Sequence, residues 1–174
     1  YETFHDVVKI MDEQTKELVG YNIFHASHYF RDLPTGKIKI TEELLENMRE
    51  AFQQNEVPER LTIDLSPKFV VGYIKAVQAH QNADKLKVCQ VDVGEEELQI
   101  VCGAPNVDKD QKVVVAKVGA IMPSGLEIKP TQLRGVDSFG MICSQKELGL
   151  PDAPKEKGIY VLPDDKKIGS EFEF

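Results

Sequence analysis

Phe69-Val70-Val71-Gly72-Tyr73-Ile74-Lys75-Ala76-Val77-Gln78-Ala79 follows directly on Ser66-Pro67-Lys68, and this junction decides how the chain is read. The run from Phe69 to Ala79 is rich in β-branched and aromatic residues, the composition of a strand. Similar runs recur beyond it, at Leu86–Val93, Leu98–Cys102, Lys112–Val118 and Ile159–Leu162. Turn formers separate them: Gly94-Glu95-Glu96, Pro105-Asn106, Pro123-Ser124-Gly125 and Pro163-Asp164-Asp165. About five strands in roughly a hundred residues suit a small closed barrel.

The text ahead of the junction has a different character. Residues 6–24 read as a hairpin: Val7, Val8, Ile10 and Met11 lead into a polar Asp12–Glu17 turn, and Val19, Tyr21 and Ile23 then alternate with polar or small neighbours. Residues 41–55 read as an amphipathic helix with Thr41 as N-cap and Glu42 and Glu43 at the positive end of its dipole. Leu44, Leu45, Met48, Ala51 and Phe52 form its apolar stripe. Pro58 bars any continuation, and Leu61-Thr62-Ile63-Asp64-Leu65 alternates as a strand. Residues 1–65 are therefore expected to form a small α+β domain, and residues 69–174 a mainly β one.

Composition narrows the class. Of the 174 residues, 41% are hydrophobic and 29% charged, as in a soluble globular protein. No apolar run approaches the ~20 residues of a membrane helix. Three cysteines without a C-x-x-C provide neither a disulfide framework nor a zinc ribbon, which predicts a reducing, cytoplasmic setting. Net charge is −8, with residues 1–68 contributing −5 and residues 69–174 contributing −3. An acidic chain that binds nucleic acid needs a local basic patch and has modest affinity.

Three blocks carry the remaining information: His80-Gln81-Asn82-Ala83-Asp84-Lys85-Leu86, Ile100-Val101-Cys102-Gly103-Ala104-Pro105-Asn106-Val107, and Leu133-Arg134-Gly135-Val136-Asp137-Ser138-Phe139-Gly140-Met141-Ile142-Cys143-Ser144. Their order and spacing resemble the tRNA-binding domain at the front of the bacterial phenylalanyl-tRNA synthetase β subunit, at the end of methionyl-tRNA synthetases and in stand-alone tRNA-binding proteins. The resemblance runs over nearly all of residues 69–174, and the separate segment in front makes the whole most similar to the small stand-alone bacterial members. It implies a five-stranded OB-fold barrel and a non-catalytic protein of translation that binds tRNA by shape and backbone, with little discrimination among species. It also implies pairing into a homodimer, since stand-alone relatives commonly pair. The family usually has proline where Gln81 stands.

Within the blocks, Lys85 and Lys87 flank Leu86 at a strand start and are expected to project together as a phosphate-reading pair. Asn82 and Asp84 either serve RNA or bond their own backbone in a hairpin connection. Arg134, whose planar fork can bond two oxygens, is a phosphate candidate or a solvated surface residue. Ser138 is placed by the resemblance at the rim of the binding surface, and Phe139 either stacks a base or closes the barrel bottom. Met141, Ile142 and Cys143 read as core. Ser144-Gln145-Lys146-Glu147 is a capping box that leaves Lys146 free for RNA.

No cofactor is expected. His25 and His28 lack a third ligand, and the cysteines lie in apolar contexts. No phosphate-binding glycine loop or synthetase ATP signature is present. Two other readings stay open: a protein-interaction module docking on a synthetase or another assembly, which the acidic charge favours, and a small-molecule enzyme using the front domain.

Overall fold

The computed structural model describes all of residues 1–174, which divide into two compact units, Tyr1–Ser66 and Pro67–Phe174. In the first, β1 (Glu2–Phe4), β2 (Val7–Met11) and β3 (Leu18–Ile23) form an antiparallel sheet in that order. The β2–β3 hairpin turns where Asp12 accepts bonds from the amides of Gln14 and Thr15, both at 2.8 Å. Helix α1 (Glu42–Gln54) starts at Thr41, whose hydroxyl accepts from the Leu44 amide at 3.2 Å. Its stripe buries Leu45, Ala51 and Phe52 and leaves Leu44 and Met48 half-buried. Val7, Phe52 and Val57 make the core, and the Tyr21 ring lies 4.7 Å from that of Phe52.

The expected strand at residues 61–65 does not form. Burial does alternate there, with Leu61, Ile63 and Leu65 turned inward, but no neighbouring strand supplies hydrogen bonds. The Leu61 carbonyl is taken instead by the Arg49 guanidinium at 3.0 Å. Alternation records burial on one side; a ladder also needs a free edge to pair with.

The second unit is mainly β and barrel-like, as an OB-fold is. Strands β4 (Phe69–Ala79), β5 (Lys87–Asp92), β6 (Glu97–Cys102), β7 (Lys112–Ala116) and β10 (Met141–Ile142) lie in the order β10-β7-β4-β5-β6, and β11 (Val161–Leu162) also pairs with β7. All these pairings are antiparallel. A separate hairpin joins β8 (Thr131–Leu133) to β9 (Val136–Ser138). Gly72 lies where β4 crosses the interior: a Cβ there would sit 2.6 Å from Val115 Cγ2 and 2.8 Å from Val91 Cγ1. One core face gathers Ile74, Val91, Ile100 and Val113 with Cys89, and the other gathers Val71, Val114, Met122 and Leu148 with Cys143.

The seam between β6 and the β9–β10 region closes through single bonds rather than a ladder. The Phe139 amide donates to the Gln99 carbonyl at 2.8 Å, and the Val101 amide donates to the Ser138 hydroxyl at 3.0 Å. Ser138 is only 2% exposed. Its hydroxyl substitutes for the backbone carbonyl that a continuing strand would have offered.

Candidate nucleic-acid interface

The first and third sequence blocks meet at one turn. Leu133 and Val136 pair, so Arg134 and Gly135 alone link β8 to β9, with φ of 50° and 88°. Two consecutive positive φ values in a two-residue hairpin define a type I′ turn, which favours Asn-Gly over Arg-Gly. The left-handed conformation costs a residue with a side chain about 1–2 kcal/mol. Side chains of the β4–β5 connection hold it. Asn82 Nδ2 donates to the Arg134 carbonyl at 3.2 Å, and His80 Nε2 lies 2.9 Å from the Leu133 carbonyl.

The same histidine faces its own loop. The Asn82 amide donates to His80 Nδ1 at 3.0 Å, so Nδ1 is the acceptor and the ring proton is on Nε2, donating to Leu133. His80 is buried. A buried imidazole with both nitrogens bonded to backbone meets the requirement that buried polar groups be paired.

The second block forms part of a groove of about 640 Å³. Val101–Ala104 and Asn106 lie along it with Ser144, and Lys146, Lys155 and Lys157 bring positive charge to its walls. Asn106 fixes one wall: its Nδ2 donates to the Ile159 carbonyl at 3.1 Å and its Oδ1 accepts from the Ile159 amide at 2.8 Å. Gly158 leaves room for that clamp, since a Cβ would lie 2.9 Å from Asn106 Oδ1. At the other wall the capping box forms in both directions. Glu147 accepts from the Ser144 amide at 2.8 Å, and Ser144 Oγ accepts from the Glu147 amide at 3.2 Å. The Glu147 carboxylate is thus turned to its own chain, and Lys146 is exposed.

Each expected contact residue has a definite setting. Lys85, Arg134 and Lys146 are exposed and lack a carboxylate partner, whereas Lys75, Lys117 and Lys129 of the same unit are ion-paired to Glu97, Glu96 and Glu127. Lys85 adjoins the groove, its carbonyl 4.0 Å from where a Gly103 Cβ would stand. Phe139 is 41% exposed, so its ring faces solvent rather than the barrel bottom.

Three expectations change. Lys87 does not project beside Lys85, because its ammonium donates to the Val107 carbonyl at 2.8 Å from a half-buried position. Ser138 is spent on the barrel seam, and Asn82 on the turn that carries Arg134. Conversely, His80, Lys155 and Lys157 were not among the expected contact residues. The signal for the lysines was Pro154-Lys155-Glu156-Lys157-Gly158, a charged loop bounded by turn residues. Outside this region, His25 Nδ1 lies 3.0 Å from Asp6 Oδ1, a structural partner for one histidine of the H-x-x-H pair.

A five-strand barrel with cations along one groove and turn is the architecture of an oligonucleotide-binding module. The chain belongs to the tRNA-binding domain family: the model of the family described as "Putative tRNA binding domain" matches residues 69–171. A second family model, described as a domain of unknown function, matches residues 1–64. Over all of its length the chain is 59% identical to the "Putative tRNA-binding protein YtpR" of Bacillus subtilis (strain 168), covering 87% of that protein. It is also 56% identical over 103 residues to the phenylalanine–tRNA ligase beta subunit of Oceanobacillus iheyensis, of which it covers 13%. The corresponding Campylobacter jejuni subunit is 58% identical over 102 residues, again with 13% of that subunit covered.

Proposed function

We propose that residues 69–174 bind tRNA through its ribose-phosphate backbone and folded shape, without catalysing a reaction on it. The observation that carries this reading is the set of unpaired cations on a chain that is otherwise acidic: Lys85 in the first block, Arg134 in the third, and Lys146 just after the third on the wall of the groove. Lys155 and Lys157 extend the set. Phe139 is the one phenyl ring in those blocks, so a row of stacked bases, as in tight single-strand binding, has no platform. Folded RNA read through phosphates and 2′-hydroxyls suits this surface. The relatives are named for tRNA binding or belong to a tRNA ligase, which supports the same reading. A homodimer would double a small patch, and three buried free thiols suit a reducing, cytoplasmic setting.

The test is fluorescence anisotropy of the full chain with intact tRNA and with an unstructured RNA of equal length, over a range of salt. About two to four phosphate contacts give a log–log salt slope near 0.7–0.9 per contact, so affinity should fall about 7- to 150-fold between 50 and 200 mM salt. Lys85→Glu combined with Arg134→Glu should abolish binding and leave the melting temperature nearly unchanged, because exposed charges contribute little to stability. Wild-type binding by the double variant would show that the contacts lie elsewhere. Absence of any tRNA preference at low salt would refute the function and favour a module that docks on a protein partner, for which the net charge of −8 is the specific support.

A further inference from the structure

The β8–β9 turn combines three features that a solvated surface loop does not need together. A residue with a long side chain, Arg134, occupies a left-handed position. A buried histidine spends one ring nitrogen on its own loop at the Asn82 amide and the other on the Leu133 carbonyl of the turn opposite, and the side chain of an asparagine 52 residues away donates to the Arg134 carbonyl itself. The Asn82 amide lies directly over the turn, 3.9 Å from where a Cβ of Gly135 would stand. Strained backbone persists where its surroundings over-determine it, and such positions concentrate at functional sites. Meanwhile β8 is exposed along its whole length, so apolar packing does not hold the tip of the hairpin in place.

We infer that His80 and Asn82 are positioning residues for tRNA binding: they clamp the backbone of the β8–β9 turn so that Arg134 projects toward the RNA from one fixed position. This rests on the function proposed above. His80 sets the chain direction of the loop through the Asn82 amide, and Asn82 then transmits that position to the Arg134 peptide. Neither side chain touches RNA. The clamp removes backbone freedom from the turn before binding, and this raises affinity because less ordering is left for the encounter.

The test is a double-mutant cycle on the full chain, read as tRNA affinity, with Asn82→Ala and Arg134→Gly. Glycine at 134 removes the contact group while accepting the positive φ, so the fold is not strained by the substitution. Asn82→Ala alone should weaken tRNA binding about two- to tenfold, the equivalent of one hydrogen bond. In the Arg134→Gly background the same change should have less than about a twofold effect, since its only route to RNA is gone. Nitrogen chemical shifts of His80 should show an unprotonated Nδ1 and a protonated Nε2, in wild type and in Arg134→Gly alike. His80→Gln, which can keep a bond to Leu133 but not the geometry at Asn82, should weaken binding with the same dependence on Arg134. If Asn82→Ala costs the same in both backgrounds, or if His80 carries its proton on Nδ1, the positioning role is wrong while tRNA binding stands. If the wild-type chain does not bind tRNA, both fall.

Discussion

Ser138→Ala separates a structural serine from an RNA-contacting one. The Ser138 hydroxyl accepts from the Val101 amide at 3.0 Å, inside the seam between β6 and the β9–β10 region. Val101 is 8% exposed and Ser138 2%, so water has little access to the amide once the hydroxyl is gone. Leaving a buried donor unmatched costs about 1–3 kcal/mol. The second bond of the hydroxyl, to the Gly140 carbonyl at 3.5 Å, is too long to add much. For a unit the size of residues 67–174, about 4 °C of melting temperature is lost per kcal/mol, so the variant should melt roughly 4–12 °C lower. Thermal and urea melts should agree on the loss. At 15 °C, well below either transition, tRNA affinity should stay within about twofold of wild type, because a seam bond far from failure does not alter the exposed cations. A variant that melts as wild type does and binds tRNA tenfold worse would refute this reasoning and return Ser138 to the RNA surface.

Gly72→Ala should destabilise the second unit by about 1–3 kcal/mol, because its Cβ would enter the van der Waals space of Val115 and Val91 at 2.6 and 2.8 Å; a denaturant melt reads this directly. Burial pushes the thiols of Cys89 and Cys143 up to about 12, and that of Cys102 upward as well, so a thiol reagent at pH 8 should label native protein slowly and unfolded protein fast. Stoichiometric labelling within seconds in the native state would contradict it. Residues 67–174 expressed alone should melt cooperatively with a β-type circular dichroism spectrum, and aggregation or a featureless curve would show a core shared with residues 1–66.

The long strands were legible because each is a run of β-branched residues between turn formers, and β4 follows the run from Phe69 to Ala79 to the residue. The strands β8, β9 and β10 were not, being three, three and two residues long and built of Thr, Gln, Asp and Met among others. The β8–β9 pairing depends on the type I′ turn, and its place beside β6 on Ser138 reaching Val101, neither of which leaves a periodic trace. The site divides in the same way. The exposure of Lys85, Arg134 and Lys146 was legible because a free surface cation needs no partner brought to it by the fold. The setting of Lys87 was not legible, since its acceptor, the Val107 carbonyl, is brought near by the fold and not by sequence spacing. The role of His80 leaves no local trace for the same reason, its acceptor lying 53 residues ahead at Leu133.

The β8–β9 hairpin also bears on how the protein avoids sticking to itself. β8 pairs with no strand but β9, so it is an edge strand, and all three of its residues are exposed. Such an edge is a template on which another chain can add a strand and start a fibril. Here it is three residues long, Pro130 stands directly before it with no amide to offer, and Lys129 precedes that. Length, proline and charge together cap the edge, so a hairpin can stand out from the barrel to carry Arg134 without seeding aggregation.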